Sequence, residues 1–118
     1  LPENSDDWNI HANIRTCEAD LYLNKTHSSI FDEKKIVKEL ESREVGRLIV
    51  TGLVTHGCVK AACLDAKNAG YEVVLAEDAH SNFNKNPAAL IDEWNSRLMS
   101  EGIAVIPARY VYAQLLAI

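Results

Sequence analysis

From residue 20 onward, short apolar runs alternate with helix-like stretches of about a dozen residues. The runs are rich in Val, Ile, Leu or Tyr and are closed by polar or turn residues, as buried strands are. This alternation is typical of a parallel sheet whose strands are joined by crossover helices. The predicted strands are ADLYLNK (19–25), GRLIVTG (46–52), YEVVLAED (71–78) and IAVIPA (103–108).

The stretches between these runs have helical patterns. The second is small and apolar nearly all round, which favours tight packing on a sheet. The third has Asn86 as a cap and Pro87 at its first helical position, and it ends before Gly102. The predicted helices span residues 32–43, 57–69, 87–101 and 109–117.

Length and composition favour one domain. The chain has 118 residues, of which 47% are hydrophobic and 25% are charged, an ordinary globular composition. The first 18 residues are polar and lack a sustained period, so we expect an irregular opening segment over residues 1–18 within a single domain spanning 1–118.

The charge pattern indicates neither a nucleic acid nor a membrane as partner. The net charge is -5, and the Lys and Arg residues are scattered. No stretch approaches the roughly 18 to 20 apolar residues of a membrane helix, and no signal sequence opens the chain. Three cysteines, Cys17, Cys58 and Cys63, are an odd number without a framework spacing. We therefore expect reduced thiols and a cytoplasmic location.

The stretch GLVTHGCV, residues 52–59, has two possible readings. Two glycines separated by four residues after an apolar run match the frame of the phosphate loop GxxxxGK[ST]. The lysine of that loop is replaced by Cys58, so the charge that would neutralise phosphates is absent. The turn instead places a thiol at the start of the following helix.

Reactive groups should lie at the carboxyl ends of the predicted strands, where loops and helix N-termini converge. The unpaired N–H groups and the dipole of a helix N-terminus favour the thiolate form of Cys58. A neighbouring Lys25 would favour the thiolate further. Asp78 and Arg109 follow the third and fourth strands, and for Asp78 the capping of a loop is favoured over catalysis.

The segment LIVTGLVTHGCVKAACLDAKNAGYEVVLAEDAHS, with NKTHSSIF upstream, resembles the isochorismatase-like cysteine hydrolases. This superfamily includes nicotinamidases and N-carbamoylsarcosine amidases. The resemblance implies a three-layer α/β/α, Rossmann-like fold with a parallel six-stranded sheet. It also implies hydrolysis of a small-molecule amide, or of a vinyl ether in one branch, often by a homo-oligomer. The vinyl-ether branch typically lacks a cysteine at this position, so Cys58 favours amide hydrolysis.

The resemblance assigns roles to particular residues. Cys58 falls on the nucleophile and Lys25 on the active-site lysine. The Leu53–Val54 bond falls where relatives have a cis peptide, and the N–H groups of Val54 and Cys58 would form an oxyanion hole. The implied mechanism is attack by sulfur on a carbonyl, release of ammonia or an amine, and hydrolysis of a thioester by water.

Other side chains are weaker candidates. Phe31, His56 and His80 could line the substrate pocket, and Phe31 could equally belong to the core. No cofactor is expected. No metal is expected either, because the four histidines lack the short pair spacing of a zinc site. These histidines are His11, His27, His56 and His80.

One catalytic group of the superfamily has no counterpart here. Relatives carry an aspartate, the base for the cysteine, after an apolar strand near their N-terminus. Asp6 and Asp7 follow no strand and Asp20 begins one, so the role passes to none of them. In the superfamily's strand order, 3-2-1-4-5-6, the predicted strands resemble the third to the sixth, and the first strands are missing. We therefore expect a C-terminal portion of the domain, completed by another segment or polypeptide.

Less specific readings remain open. Cys63 and Cys17 are expected in the core, as small buried thiols usually are. Without the resemblance, Lys25 would be a solvated lysine at a strand end. The alternative function is a catalytically inactive isochorismatase-like module that serves in oligomer or partner binding.

Overall fold

The structure, a computed structural model, describes residues 3–116. These residues form three strands and four α-helices, and the predicted strands at 46–52, 71–78 and 103–108 are confirmed. All four predicted helices are present as well, although residue 117 of the last lies outside the described residues. In chain order the elements are α1 (Lys34–Ser42), β1 (Arg47–Leu53), α2 (Lys60–Asn68), β2 (Glu72–Ser81), α3 (Pro87–Ser100), β3 (Ala104–Ile106) and α4 (Ala108–Leu116).

Two short turns precede helices. A 3-10 turn at Ile30–Asp32 leads into α1. A π-helical turn at Thr55–Val59, called the cysteine turn below, runs directly into α2. The predicted helix over 57–69 therefore consists of most of the cysteine turn followed by α2.

The strands form a parallel sheet in the order β1-β2-β3. Ile49 lies opposite Val74, and Leu75 lies opposite Val105. Residues 73–76 of the central strand are all buried, and because successive side chains point to opposite faces, both faces of β2 are covered. The predicted fold class, a parallel sheet flanked by helices, is confirmed.

The core lies between β2, α2 and α3. Small side chains from α2, including Cys63 and Ala66, allow the helix to lie close to the sheet. Val59 of the cysteine turn is 2% exposed and belongs to the same cluster, so the turn is held by apolar packing on its inner side. The buried members of the cluster are Val59, Cys63, Ala66, Val73, Leu75, Leu98 and Ile103.

The ends of α3 follow the sequence signals. The side chain of Asn86 accepts a hydrogen bond from the N–H of Ala89 at 3.3 Å, and Pro87 is the first helical residue. Beyond the helix, Gly102 has φ +88°, a backbone conformation that residues with a Cβ rarely adopt. Both predicted boundary signals are confirmed.

The predicted strand at 19–25 is wrong. These residues have no strand assignment, and Leu21, Tyr22 and Leu23 are 52%, 60% and 42% exposed. A strand needs a neighbour for its backbone hydrogen bonds, and in the described chain this segment pairs with none. The sheet accordingly has three strands among residues 3–116, one fewer than the sequence predicted. Residues 3–18 consist of turns, bends and irregular backbone with no helix or strand, while residues 1 and 2 lie outside the described chain.

The outer edge of β1 is open. Among the described residues β1 pairs with β2 alone, and Ile49 and Leu53 are 38% and 54% exposed. The register with β2 shifts between Val50 and Gly52, where Gly52 has φ +117°. After this irregularity the pairing resumes in a shifted register, with Gly52 opposite His80 and Leu53 opposite Ser81, directly before the cysteine turn.

Candidate active site

Cys58 is the fourth residue of the cysteine turn, at the N-terminal side of α2, and its side chain is half-buried. The carbonyl of Val54 accepts hydrogen bonds from the N–H groups of Gly57 at 2.9 Å and Val59 at 3.1 Å. Gly57 departs from helical geometry, with φ -121° and ψ -106°. The thiol is thus presented by a turn whose backbone is bonded on both sides of it.

Lys25 reaches this thiol from a distant part of the chain. Its Nζ lies 3.4 Å from Sγ of Cys58. The same ammonium donates to the carbonyls of His27 at 2.9 Å and Ser28 at 3.3 Å. An ammonium has three N–H donors, so two are used by the loop and the third is directed at the sulfur.

Glu33 organises the loop that holds Lys25. Its Oε1 accepts from the N–H of Thr26 at 3.1 Å and lies 3.3 Å from Nδ1 of His27. The Thr26 N–H bond, and then the His27 contact, lower the pKa of the Glu33 carboxyl from its ordinary value. The sequence did not single out Glu33, although an acidic residue directly before α1 was a usable signal, because its partners depend on the path of the loop.

One peptide bond between β1 and Cys58 departs from the usual trans form. The peptide bond between Leu53 and Val54 is cis. Leu53 is largely exposed, whereas Val54 is half-buried. Leu53 is the last residue of β1, and Val54 connects it to the cysteine turn.

A cavity of about 270 Å³ opens beside the pair. Lys25 and Cys58 line one part of it, and mostly apolar side chains of β1, the 3-10 turn, the cysteine turn and α2 line the rest. The site therefore offers one cation and one thiol against an apolar wall. The remaining lining residues are Ile30, Leu48, Ile49, Val50, Thr51, Leu53, Val59 and Ala62.

The three predicted pocket residues do not line this particular cavity. In the described chain, Phe31, His56 and His80 are not among the residues that line this cavity. Phe31 packs against Tyr71 with ring centroids 5.7 Å apart, and His56 is exposed. His80 is 5% exposed, and both of its ring nitrogens have hydrogen-bond partners. These contacts place Phe31 and His80 in packing and hydrogen-bonding roles in this structure.

The three cysteines have different environments, and all are free thiols. Cys63 is buried as predicted, and burial raises the pKa of its thiol to about 11. The prediction that Cys17 lies in the core is wrong. It is exposed, and its thiol donates to Oδ1 of Asp20 at 3.3 Å, because its irregular segment contributes no buried face.

The other strand-end candidates have structural contacts. Oδ1 of Asp78 accepts from the N–H of Ala108 at 2.8 Å and so caps the start of α4. The guanidinium of Arg109 lies 4.8 Å from the ring centroid of Tyr110. Asp78 was expected to cap a loop, and in the structure it caps a helix.

Residues 3–116 contain no group of three or more His, Cys, Asp or Glu side chains that could hold a metal ion. Within the same range, no helix has the length and apolar character required to cross a membrane.

The family model described as "Isochorismatase domain" matches residues 1–108 of this sequence. The chain belongs to the isochorismatase family. The residues that the family model matches include the Lys25 loop, the cysteine turn and all three strands.

Two curated proteins are similar in sequence to this chain. PncA of Bacillus subtilis (strain 168), an isochorismatase family protein, is 33% identical over 64 residues, which are 54% of this chain and 35% of that protein. The ureidoacrylate amidohydrolase RutB of Variovorax paradoxus (strain S110) is 30% identical over 73 residues, which are 62% of this chain and 29% of that protein. The matches span about a third of the length of these curated relatives.

Solved isochorismatase-family structures share the fold. An isochorismatase family protein from Desulfovibrio vulgaris superposes with a TM-score of 0.84 at 23% identity, covering 96% of this chain and 58% of that one. The nicotinamidase/pyrazinamidase PncA from Bacillus subtilis superposes with a TM-score of 0.62 at 29% identity, covering 70% of this chain and 44% of that one. The first comparison establishes the fold, and both structures extend well beyond the part that this chain matches.

Proposed function

We propose that this chain carries the nucleophile of a cysteine hydrolase that cleaves the C–N bond of a small amide. The observation that carries the proposal is the 3.4 Å contact between Lys25 Nζ and Cys58 Sγ beside a cavity. The amide class is supported by the names of two relatives, an amidohydrolase at 30% identity and a nicotinamidase/pyrazinamidase structure at 29% identity.

The chemistry begins at the sulfur of Cys58. A base takes the thiol proton, the sulfur bonds to the amide carbon, and an electron pair moves onto the carbonyl oxygen. The C–N bond then breaks, and the nitrogen leaves with a proton as ammonia or an amine. Water adds to the resulting thioester, the C–S bond breaks, and the products are a carboxylic acid and the restored thiol.

Two groups assist these steps. The ammonium of Lys25 lies in contact with the sulfur, so its positive charge faces the atom that attacks the amide carbon. The backbone N–H groups of Val54 and Cys58 are proposed as the oxyanion donors, since both belong to the turn that presents the sulfur. Lys25 has its other two donors on backbone carbonyls, so it can face the sulfur without rearrangement.

The proposed mechanism also requires a base that takes the proton of the Cys58 thiol. Among residues 3–116, the side-chain hydrogen bonds of Lys25 and Cys58 go to each other and to two carbonyls, not to a carboxylate. We propose that a further segment, which contributes strands beyond the open edge of β1, supplies an aspartate to this site. Single-domain organisation of residues 1–118, a cytoplasmic location and homo-oligomer formation remain predictions.

The test is amide hydrolysis by the natural protein and by the 118-residue chain. Nicotinamide, ureidoacrylate and a panel of other small amides are incubated with each, and released ammonia is measured. We expect ammonia release by the natural protein, its loss in Cys58→Ala, and its retention in Cys17→Ser, because Cys17 is exposed in the irregular segment. Quenched reactions should contain a peptide with an acyl group on Cys58.

Two results together would overturn the proposal. One is the absence of hydrolysis of every amide by the natural protein. The other is reaction of Cys58 with iodoacetamide no faster than that of Cys17. That combination would support the inactive, binding-only module instead.

A further inference from the structure

A buried hydrogen-bond network joins the cysteine turn to β2 and α3. Thr55, the first residue of the turn, is fully buried, and its Oγ1 lies 2.9 Å from Nδ1 of His80 in β2. Nε2 of His80 lies 2.8 Å from Oδ1 of Asn95 in α3. Asn95 Nδ2 donates to the carbonyl of Glu77 at 3.2 Å, and Asn82 Nδ2 donates to Thr55 Oγ1 at 3.4 Å.

The protonation of Nε2 follows from the partners of Asn95. Because the amide nitrogen of Asn95 donates to the Glu77 carbonyl, its oxygen faces His80. An amide oxygen can only accept, so Nε2 of His80 must carry a hydrogen. This assignment rests on the hydrogen-bond partners, as tautomer assignments generally do.

The direction of the second bond follows from Asn82. Its Oδ1 accepts from the N–H of Asn84 at 3.0 Å, so its Nδ2 faces Thr55. The Thr55 oxygen thus accepts from Asn82, and of the two described partners of this hydroxyl Nδ1 of His80 is the one that can accept its hydrogen. This hydrogen-bond arrangement assigns the ring hydrogen to Nε2 and leaves Nδ1 as the acceptor.

We infer that His80 is a positioning residue that orients the cysteine turn through the Thr55 hydroxyl. His80 is proposed to act on the Cys58 thiol through Thr55, three residues before it in the same turn. Asn95, in α3, in turn fixes the orientation of the His80 ring through its bond to Nε2. The inference rests on the proposed function in that Cys58 is the reactive residue.

The structural reason is the limited freedom of the turn. Apolar packing holds Val59 at the inner side of the turn, but such packing is not directional. A hydroxyl between one donor and one acceptor, in a residue with no exposed surface, has a single favourable orientation. The network therefore sets the register of the turn against the sheet, and with it the distance between Cys58 and the Lys25 ammonium.

The experiment measures the rate at which iodoacetamide alkylates Cys58, which needs no substrate. In a Cys17→Ser background, Thr55→Val keeps the shape of the side chain but removes its hydroxyl. We expect alkylation to slow about two- to tenfold, the range set by one hydrogen bond. Thr55→Ser retains the hydroxyl and should restore a rate near that of the parent. The control is Thr16→Val, an exposed threonine, which should have no effect.

A second variant tests the path through His80. Asn95→Leu removes the acceptor of Nε2, and Asn95 makes its side-chain hydrogen bonds to His80 and to the Glu77 carbonyl. We expect slower alkylation here too, and a combined effect with Thr55→Val that is smaller than the product of the two single effects, because both act through one network. Strictly multiplicative effects would overturn the inference, as would an unchanged or faster rate in folded Thr55→Val, or a Thr55→Ser protein as slow as Thr55→Val.

The unmodified chain gives an independent test should the variants fail to fold. Nitrogen-15 NMR of the imidazoles, with His80 assigned by a His80→Gln sample or by its contact to Asn95, should show a hydrogen on Nε2 and none on Nδ1 at neutral pH. A hydrogen on Nδ1 would overturn the inference. Because neither measurement uses amide hydrolysis, the two proposals can fail separately. A protein that hydrolyses no amide and whose Cys58 reacts no faster than Cys17 would reject the proposed function, and slowed alkylation of Thr55→Val in that protein would still support the role of His80.

Discussion

The ammonium nitrogen of Lys25 lies 3.4 Å from the sulfur of Cys58, although 33 positions separate the two residues in the sequence. No strand holds Lys25 in place, since residues 19–25 are not part of the sheet. The contact instead depends on the loop carbonyls of His27 and Ser28, which orient the ammonium. Cys58 is therefore positioned by the sheet and α2, whereas Lys25 is positioned by a loop.

Removal of the charge at Lys25 should slow alkylation of Cys58. We expect Lys25→Met to lower the rate constant with iodoacetamide about two- to fivefold, the range allowed by an exposed ion pair of up to about 1 kcal/mol. The control is Lys85→Met, another exposed lysine, which should leave the rate unchanged. Equal rates for Lys25→Met and the parent would show that the contact does not activate the sulfur.

Cys63 should contribute a pH dependence to stability at alkaline pH. Burial raises the pKa of its thiol from 9.0 to about 11, so between these values the unfolded chain releases a proton that the folded chain keeps. The contribution is fully present below about pH 9 and is lost as the pH rises toward about 11. Urea unfolding should show the stability advantage of the parent over Cys63→Ala shrinking by about 2 kcal/mol between roughly pH 8 and pH 10.5.

Cys17→Ser is the matched control for this measurement, because Cys17 is exposed and makes no core contact. Its stability should follow the parent across the same pH range. Parallel curves for the parent and Cys63→Ala would contradict the prediction.

Glu33 should titrate below the ordinary range of a glutamate. Its pKa is lowered from 4.5, first by the Thr26 N–H bond and then by the His27 contact. A lowered carboxyl pKa means that these contacts stabilise the loop above about pH 4.5 and are lost as the pH falls through the folded value. The amide proton of Thr26 should therefore show an NMR titration with a midpoint below 4.5.

Two variants test whether Glu33 is the group that causes this titration. Glu33→Gln keeps an oxygen for the Thr26 N–H but cannot ionise, so the low-pH titration of that amide should disappear. Glu41→Gln, at an exposed position of α1, should leave it unchanged. A Thr26 amide that titrates equally in Glu33→Gln would mean that another group is responsible.

Neighbouring residues of α3 should differ sharply in their contribution to stability. Leu98 is 1% exposed in the core, whereas Met99 is 57% exposed. We expect Leu98→Ala to lower the free energy of unfolding by about 2 to 5 kcal/mol, because it removes buried methyl groups and leaves a cavity. Met99→Ala should change it by about 0.5 kcal/mol or less. Similar losses in both variants, measured by urea unfolding, would place the core elsewhere.

Local sequence signals identified most of the regular structure. The positions of β1, β2 and β3, the Asn86 cap with Pro87, and the burial of Cys63 were all predicted, because each depends on a local pattern of apolar, turn or capping residues. The motif around Cys58 also identified the family, and the model of that family matches residues 1–108. These features depend on side-chain chemistry and spacing within about one element.

Tertiary structure decided the features that need a distant partner. The run at 19–25 has the composition of a strand, yet no neighbouring strand is present in the described chain for it to pair with, and it is not one. His80, predicted as a pocket residue, bonds to Thr55 and Asn95, which no local pattern links to it. A hydrogen-bond network or a cation–thiol contact is a relation between separate elements. Its geometry is therefore determined only when packing of the sheet and helices brings those elements together.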